Sequence, residues 1–238
     1  MNVLYNEILN VSSDNFSDPN RDRYIQSKGH SVEALYIVLA DKGFFQKSDL
    51  ETFCRYNSKY MGHPTRKVNG IEFNTGALGH GLPISAGIAL GAKKDGATYK
   101  VYTLIGDGEL AEGSNWEAAM MAAHYKLDNL VAILDHNALQ ITGPNQEVCS
   151  PYPIDEKFHA FGWNVLETNG NDLVQLKDTF QSISYKTGKP TLVIANTTKG
   201  CGISFMENEK KWHHGVPSDE QYEIAIKELK LNLQVLNI

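Results

Sequence analysis

Four apolar runs rich in β-formers punctuate the chain: Lys100 to Ile105, Leu130 to Leu134, Trp163 to Glu167 and Pro190 to Ala195. Each is too short for a helix and is largely apolar at successive positions, a pattern that predicts strands covered on both faces. Between and around them lie segments of helical composition, notably Ile84 to Lys94, Ser114 to His124, Asp172 to Tyr185 and a closing Asp219 to Leu233. The alternation predicts βαβ units, hence an α/β fold with a mostly parallel sheet and helices on both faces. Ligands of such sheets bind beyond the carboxyl ends of the strands. That rule directs attention to the residues following Ile105, Leu134 and Ala195, and to the Gly-rich stretch Asn74 to Gly81. Asn10 to Arg21 is polar and turn-rich and reads as a connecting loop. Residues 1–238 show no repeat or linker and predict a single domain with a sizeable core.

Charge and composition narrow the partners. A formal net charge of -6, with no run of Lys or Arg longer than a pair, offers no electrostatic footprint for nucleic acid or an anionic membrane. Small metabolites are the expected ligands. Cys54, Cys149 and Cys201 are widely spaced and form no C-x-x-C pair, which predicts neither a disulfide framework nor a thiolate zinc site. The opening residues lack a basic and apolar leader pattern, and no apolar run approaches the roughly 20 residues of a membrane span. The expectation is a soluble, unprocessed, cytoplasmic protein.

The densest local pattern is Gly106-Asp107-Gly108-Glu109-Leu110-Ala111-Glu112-Gly113, after a predicted strand and before a predicted helix. Gly106-x-Gly108-x-x-Ala111 also satisfies the dinucleotide fingerprint, with Asp135 at the next strand's end as a mimic of the ribose-binding acid. Electrostatics separates the two readings. Asp107, Glu109 and Glu112 would repel a bare pyrophosphate unless a divalent cation stood between them. Mg²⁺ takes oxygen ligands, commonly one or two from protein and the rest from phosphate and water. Asp107 supplies one, and the side-chain carbonyl of Asn137, about thirty residues on and just past the next strand, supplies another. Adjacent parallel strands would bring the two together. In isolation each residue is equally well explained as a turn or loop residue.

Gly-Asp-Gly followed after about thirty residues by Asn resembles the thiamine diphosphate motif. The longer stretches Gly106 to Ala119 and Ala123 to Leu130 narrow the resemblance to the transketolases. It implies a diphosphate-binding (PP-type) domain that binds thiamine diphosphate with Mg²⁺, or Ca²⁺ or Mn²⁺ in its place. By position, Asp107, the Asn137 side chain and the Leu139 carbonyl would bind the metal. Gly106 and Gly108 would hold the diphosphate, Ile141 would touch the thiazolium ring, and Glu112 would face a subunit contact. Gly76 and Leu78, in Asn74 to Pro83, would hold the aminopyrimidine, although three glycines in six positions are also explained by a loop and close helix packing.

Eight histidines are present, and their settings discriminate among them. His30, His63, His213 and His214 lie in or beside Gly- or Pro-containing segments, where rim loops act. The resemblance implies that His30, His63 and one of His213 or His214 surround the coenzyme's reactive carbon, His30 and His214 also contacting the coenzyme. An imidazole suits proton transfer because its ordinary pKa lies near operating pH. His80 is expected behind the site, His124 and His159 half-buried on helices, and His136 beside a ligand without being one.

The implied activity is transfer of a two-carbon ketol unit between sugar phosphates, as in the pentose phosphate pathway of carbohydrate metabolism. The chain covers about a third of the family's usual length. The remaining groups, including the pyrimidine-binding domain, are therefore expected from a separate C-terminal subunit, in a homodimer or heterotetramer. The family's usual first helix and Ser-Gly-His-Pro-Gly segment are also not found ahead of Arg21. Alternatives are another thiamine diphosphate enzyme component, or a non-catalytic relative.

Overall fold

The computed structural model describes residues 1–235; the closing positions 236–238 of the expected domain lie outside the described residues. Five strands form one sheet: β1 (Arg23–Gln26), β2 (Val101–Gly106), β3 (Leu130–His136), β4 (Asn164–Asn169) and β5 (Thr191–Asn196). Their order is β1-β2-β3-β5-β4, and every neighbouring pair is parallel. The helices are α1 (Val32–Asp41), α2 (Gly81–Lys94), α3 (Gly113–His124), α4 (Asn145–Val148), α5 (Ile154–Phe161), α6 (Leu173–Gln181) and α7 (Asp219–Val235).

Strand alternation explains the two cores. Tyr102, Leu104, Val131, Ile133 and Val193 point to one face. There they meet Leu35 and Leu39 of α1, Phe180 of α6, and Leu4 and Tyr5 of an N-terminal π-helical turn. Val101, Ile105, Leu130, Ala132, Leu134, Leu192 and Ile194 point to the other face, onto α2, α3 and α5. Helices cover both faces, so the central strands read as continuous apolar runs. Ala86 and Ala89 of α2 and Ala119 and Ala122 of α3 are fully buried. Their small side chains let both helices approach the sheet closely. Leu134 is also fully buried, and its truncation to Ala would cost about 2–5 kcal/mol.

Local chemistry fixes several element ends. The Asp172 carboxylate caps α6, accepting N–H bonds from Val174 and Gln175 at 2.9 and 3.0 Å. Gly162 ends α5 in the left-handed region at φ 94°.

The sequence pattern missed β1, α1 and the short α4. β3 runs two residues past the predicted Leu134, so Asp135 and His136 belong to the strand. β4 lies at the sheet edge and is only partly covered, unlike the expected strand buried on both faces. His124 and His159 are exposed, not half-buried, because each sits on its helix face away from the sheet. The three cysteines are exposed and unbridged. No described helix is long and apolar enough to cross a membrane.

Candidate functional site

The β2/β3 register sets Gly106 opposite Asp135, so the loops leaving the two strands start side by side. Asp107 stands at that point, only 2 % exposed. Its Oδ1 accepts the Gly108 N–H at 2.7 Å and its Oδ2 accepts the Ala138 N–H at 2.5 Å. No described ion pair includes Asp107. A carboxylate buried without a cation is costly, and two N–H bonds relieve only part of that cost.

Asn137 begins the loop after β3, and its Oδ1 accepts the Leu139 N–H at 3.1 Å. Ala138 takes a left-handed φ of 62°, an uncommon conformation for a residue with a side chain. Its carbonyl accepts the Asn145 N–H at 2.9 Å, and Leu139 bridges to Pro144. The loop carrying Asn137 and Leu139 is thus closed on itself and tied to Asp107. Among the described residues no three His, Cys, Asp or Glu side chains gather to hold a metal. The donors here are one carboxylate, one amide oxygen and main-chain carbonyls. Such a set fits a hard cation that takes its remaining oxygens from phosphate and water. The backbone at Gly108 is closely covered: an added Cβ would lie 2.8 Å from the Gln140 Cγ.

A second set of contacts draws the Gly-rich loop to the same place. The Glu109 carboxylate, 4 % exposed, accepts the Gly79 N–H at 2.8 Å, the Gly106 N–H at 3.0 Å and the Ser27 hydroxyl. Gly76 has φ 141°, and a Cβ there would lie 2.7 Å from the His63 Cδ2, so the His63 ring packs directly on the Gly76 backbone. Leu78 is half-buried two residues on, and the exposed His80 ring bonds the Leu78 carbonyl through Nδ1 at 3.0 Å.

The imidazoles gather with two lysines. The His30 and His213 rings lie 5.1 Å apart between centroids, and the Lys199 Nζ lies 3.3 Å from the His213 Nδ1. Burial, then the Lys28 ammonium and the neighbouring cationic groups, lowers the His30 imidazole to about 4. Burial followed by Lys199 and His214 takes His213 to about 4 as well. Both rings are therefore neutral near pH 7. Burial also lowers the Lys199 amine, and Lys28 adds to the effect. Lys28 forms an ion pair with Asp135, whose other oxygen accepts the Thr197 hydroxyl at 2.5 Å. Burial alone would raise the Asp135 carboxyl, but Lys28 and the hydrogen bonds outweigh it and hold the group below its usual range.

The structure therefore gathers Gly106, Asp107, Gly108, Asn137 and Leu139 at the β2 and β3 ends, and His30, His63, His213 and Gly76 beside them. His214 touches the His213 ring at 4.7 Å between centroids and is exposed. Glu112 is exposed at the start of α3, against Gly79, and Ile141 is 55 % exposed at the loop tip. His136 bonds Asn196 through Nδ1 at 2.7 Å and the Tyr152 hydroxyl through Nε2 at 2.9 Å, a bracing contact beside the site. Sequence reasoning did not single out Lys28, Lys199, Ser27 or the bonding of Glu109. Only the Ser-Lys-Gly-His string next to His30 hinted at the first of these.

Comparison with known proteins gives a family. The model for the transketolase thiamine diphosphate binding domain matches residues 1–234. The chain is 50% identical over 236 residues to an apulose-4-phosphate transketolase subunit of Phocaeicola vulgatus, covering 99% of this chain and 84% of that protein. It is 37% identical over 229 residues to a Clostridium 6-deoxy-6-sulfo-D-fructose transketolase subunit, covering 96% and 83%. The crystal structure of transketolase from Campylobacter jejuni superposes with a TM-score of 0.89 at 34% identity. That match covers 96% of this chain and 37% of the Campylobacter chain. With parallel strands, site loops and family model in agreement, the chain belongs to the transketolase family, in its thiamine diphosphate binding domain.

Proposed function

We propose that the chain is the N-terminal, diphosphate-binding subunit of a thiamine diphosphate-dependent transketolase that moves a two-carbon ketol unit between sugar phosphates. The observation that carries the reading is Asp107. Its carboxylate is buried, bonded by two backbone N–H groups, free of any described ion pair and next to the loop of Asn137. A divalent cation, Mg²⁺ in this proposal, would neutralise that charge, with Asp107, the Asn137 side chain and the Leu139 carbonyl as its protein ligands.

Thiamine diphosphate, when bound, supplies the carbanion chemistry that side chains lack. The chain's own residues anchor and orient it. Gly106 and Gly108 would present the turn backbone to the diphosphate, Gly76 and Leu78 would hold the aminopyrimidine, and Ile141 would contact the thiazolium ring. His30 and His213 are neutral near pH 7 and would hydrogen-bond sugar hydroxyls, their lowered values making each a weaker base than an ordinary imidazole. His63, exposed on Gly76, is placed to bond a donor hydroxyl.

A separate subunit carrying the pyrimidine-binding domain completes the enzyme, in a heterotetramer. The relatives named as subunits support this, as does the apolar surface around the site. Phe73, Met61, Met120 and Ile141 are 42, 53, 52 and 55 % exposed. Glu112, at the start of α3, faces that partner. The 50% identity to an apulose-4-phosphate transketolase component favours apulose 4-phosphate as a substrate over xylulose 5-phosphate. The test is ketol transfer to a common aldose phosphate by chain plus partner, with each donor in turn and with Mg²⁺ present or chelated. Faster Mg²⁺-dependent turnover of apulose 4-phosphate is expected. Preference for xylulose 5-phosphate would reverse the donor assignment, and inertness with both would remove the transketolase reading.

A further inference from the structure

We infer that Glu109 is a positioning residue that holds in register the two loops between which the coenzyme lies, one carrying the diphosphate anchor and one the aminopyrimidine contacts. The inference rests on the thiamine diphosphate reading above.

Three loops meet at this one carboxylate. Oε2 accepts the N–H of Gly106, the first residue of the diphosphate turn, at 3.0 Å. Oε1 accepts the N–H of Gly79, in the Gly76 to Gly81 loop, at 2.8 Å, and also the Ser27 hydroxyl from the end of β1. The same Ser27 oxygen accepts the Gly81 N–H at 3.1 Å, so the Gly-rich loop is held at two points. Ser27 is fully buried and leads directly to Lys28, Gly29 and His30. Glu109 is itself held, because its carbonyl accepts the Asn115 amide of α3 at 2.8 Å.

The choice of side chain follows from the donor count. Two N–H groups and one hydroxyl converge, and an ionised carboxylate is acceptor-only, so it meets all three with charge-assisted bonds. A glutamine of the same shape would turn an amide N–H₂ toward one of those donors and leave it unpaired. No described ion pair includes Glu109, so hydrogen bonds carry its charge. The loops have no slack to substitute for the lost bond. An added Cβ on Gly79 would lie 2.5 Å from the Glu112 Cβ, one on Gly29 2.9 Å from the Gly76 N, and one on Gly81 2.2 Å from the Ser27 Cβ.

Register between two loops has a signature that plain stability lacks. A ligand touching only the diphosphate turn should be indifferent to it, whereas a ligand spanning both loops should not. The experiment is calorimetric titration of wild type, Glu109→Gln and Ser27→Ala, each mixed with the pyrimidine-domain partner subunit, with Mg²⁺ plus either inorganic pyrophosphate or thiamine diphosphate. In Glu109→Gln the Kd for thiamine diphosphate is expected to rise about tenfold or more, as for loss of a bond to a charged group. The Kd for pyrophosphate should move by less than about threefold, since the Asp107 contacts remain. Ser27→Ala keeps the Glu109 bonds to Gly79 and Gly106, and should show the same asymmetry at about threefold; it decides the matter if the Gln variant does not fold. Equal weakening for both ligands, or no weakening for either, would overturn the inference alone. A wild-type complex with the partner that fails to bind thiamine diphosphate would overturn the coenzyme reading and the inference together.

Discussion

Replacing Asp107 by Asn removes one charge and leaves the shape unchanged, which separates the metal role from the fold. In the native chain both carboxylate oxygens accept backbone N–H groups, Gly108 at 2.7 Å and Ala138 at 2.5 Å. In the variant one of those donors faces an N–H₂ group. Losing a bond to a charged acceptor costs about 1.5–3 kcal/mol. Removing a buried carboxylate that has no ion-pair partner gives part of this back, so apo stability should change by no more than about 2 kcal/mol. For the metal-bound coenzyme no such offset exists. The variant loses its only anionic cation ligand, and a loss of about 3 kcal/mol corresponds to roughly a hundredfold in affinity. The assay is calorimetric titration of thiamine diphosphate across a Mg²⁺ series, with thermal melts of both apo proteins. A variant that melts near the wild type but loses Mg²⁺-dependent binding supports the assignment. Unchanged Mg²⁺ dependence would refute it, as would a collapsed melting temperature with affinity intact.

His63→Ala should lower kcat much more than it weakens coenzyme binding, because the ring is exposed on the Gly76 backbone and its proposed partner is a donor hydroxyl; steady-state kinetics beside a coenzyme titration checks this. Gly76→Ala should weaken coenzyme binding about tenfold and lower stability by roughly 1–3 kcal/mol, since φ is 141° and the new Cβ would strike the His63 ring. Thermal melts and titration together would test it. His30 and His213 have folded-state pKa values of about 4, below the ordinary 6.5, so the unfolded chain binds more protons between those values. Their contribution to stability should therefore be fully present above about pH 6.5 and lost as pH falls toward 4, and Lys28→Met should shrink that loss. Denaturant unfolding from pH 7.5 to 4 measures the slope, and a flat profile would contradict the burial of the two rings.

The strands and the loops that follow β2 and β3 were legible because each is written in contiguous residues. Val101 to Ile105 and Leu130 to Leu134 are apolar on both faces, and their register brings Asp107 beside Asn137 as the parallel sheet required. β1 was hidden because its four residues, Arg23–Gln26, carry polar ends and too little apolar pattern. α1 was hidden because its start follows directly on the short Gly29–Ser31 turn, and Ser31 makes no side-chain cap. The bracing of the site was illegible for a different reason. Ser27 meets Glu109 across 82 positions and Lys28 meets Asp135 across 107. No local signal marks such pairs; only the folded sheet brings them together. Which histidine turns inward was also undecidable in Trp212-His213-His214-Gly215. The short helix Lys210–His213 aims His213 at His30 and leaves His214 exposed.

The chain is proposed to hold the diphosphate half of a site that a second subunit completes. The most direct measurement is ketol transfer from a ketose phosphate to an aldose phosphate, with thiamine diphosphate and Mg²⁺, by the chain alone, by the pyrimidine-domain partner alone and by the two mixed. Activity should rise to a plateau near equimolar mixing and be negligible in either single-component reaction. Full turnover by the chain alone would rule out a shared site, as would a mixture that binds the coenzyme yet transfers no ketol unit.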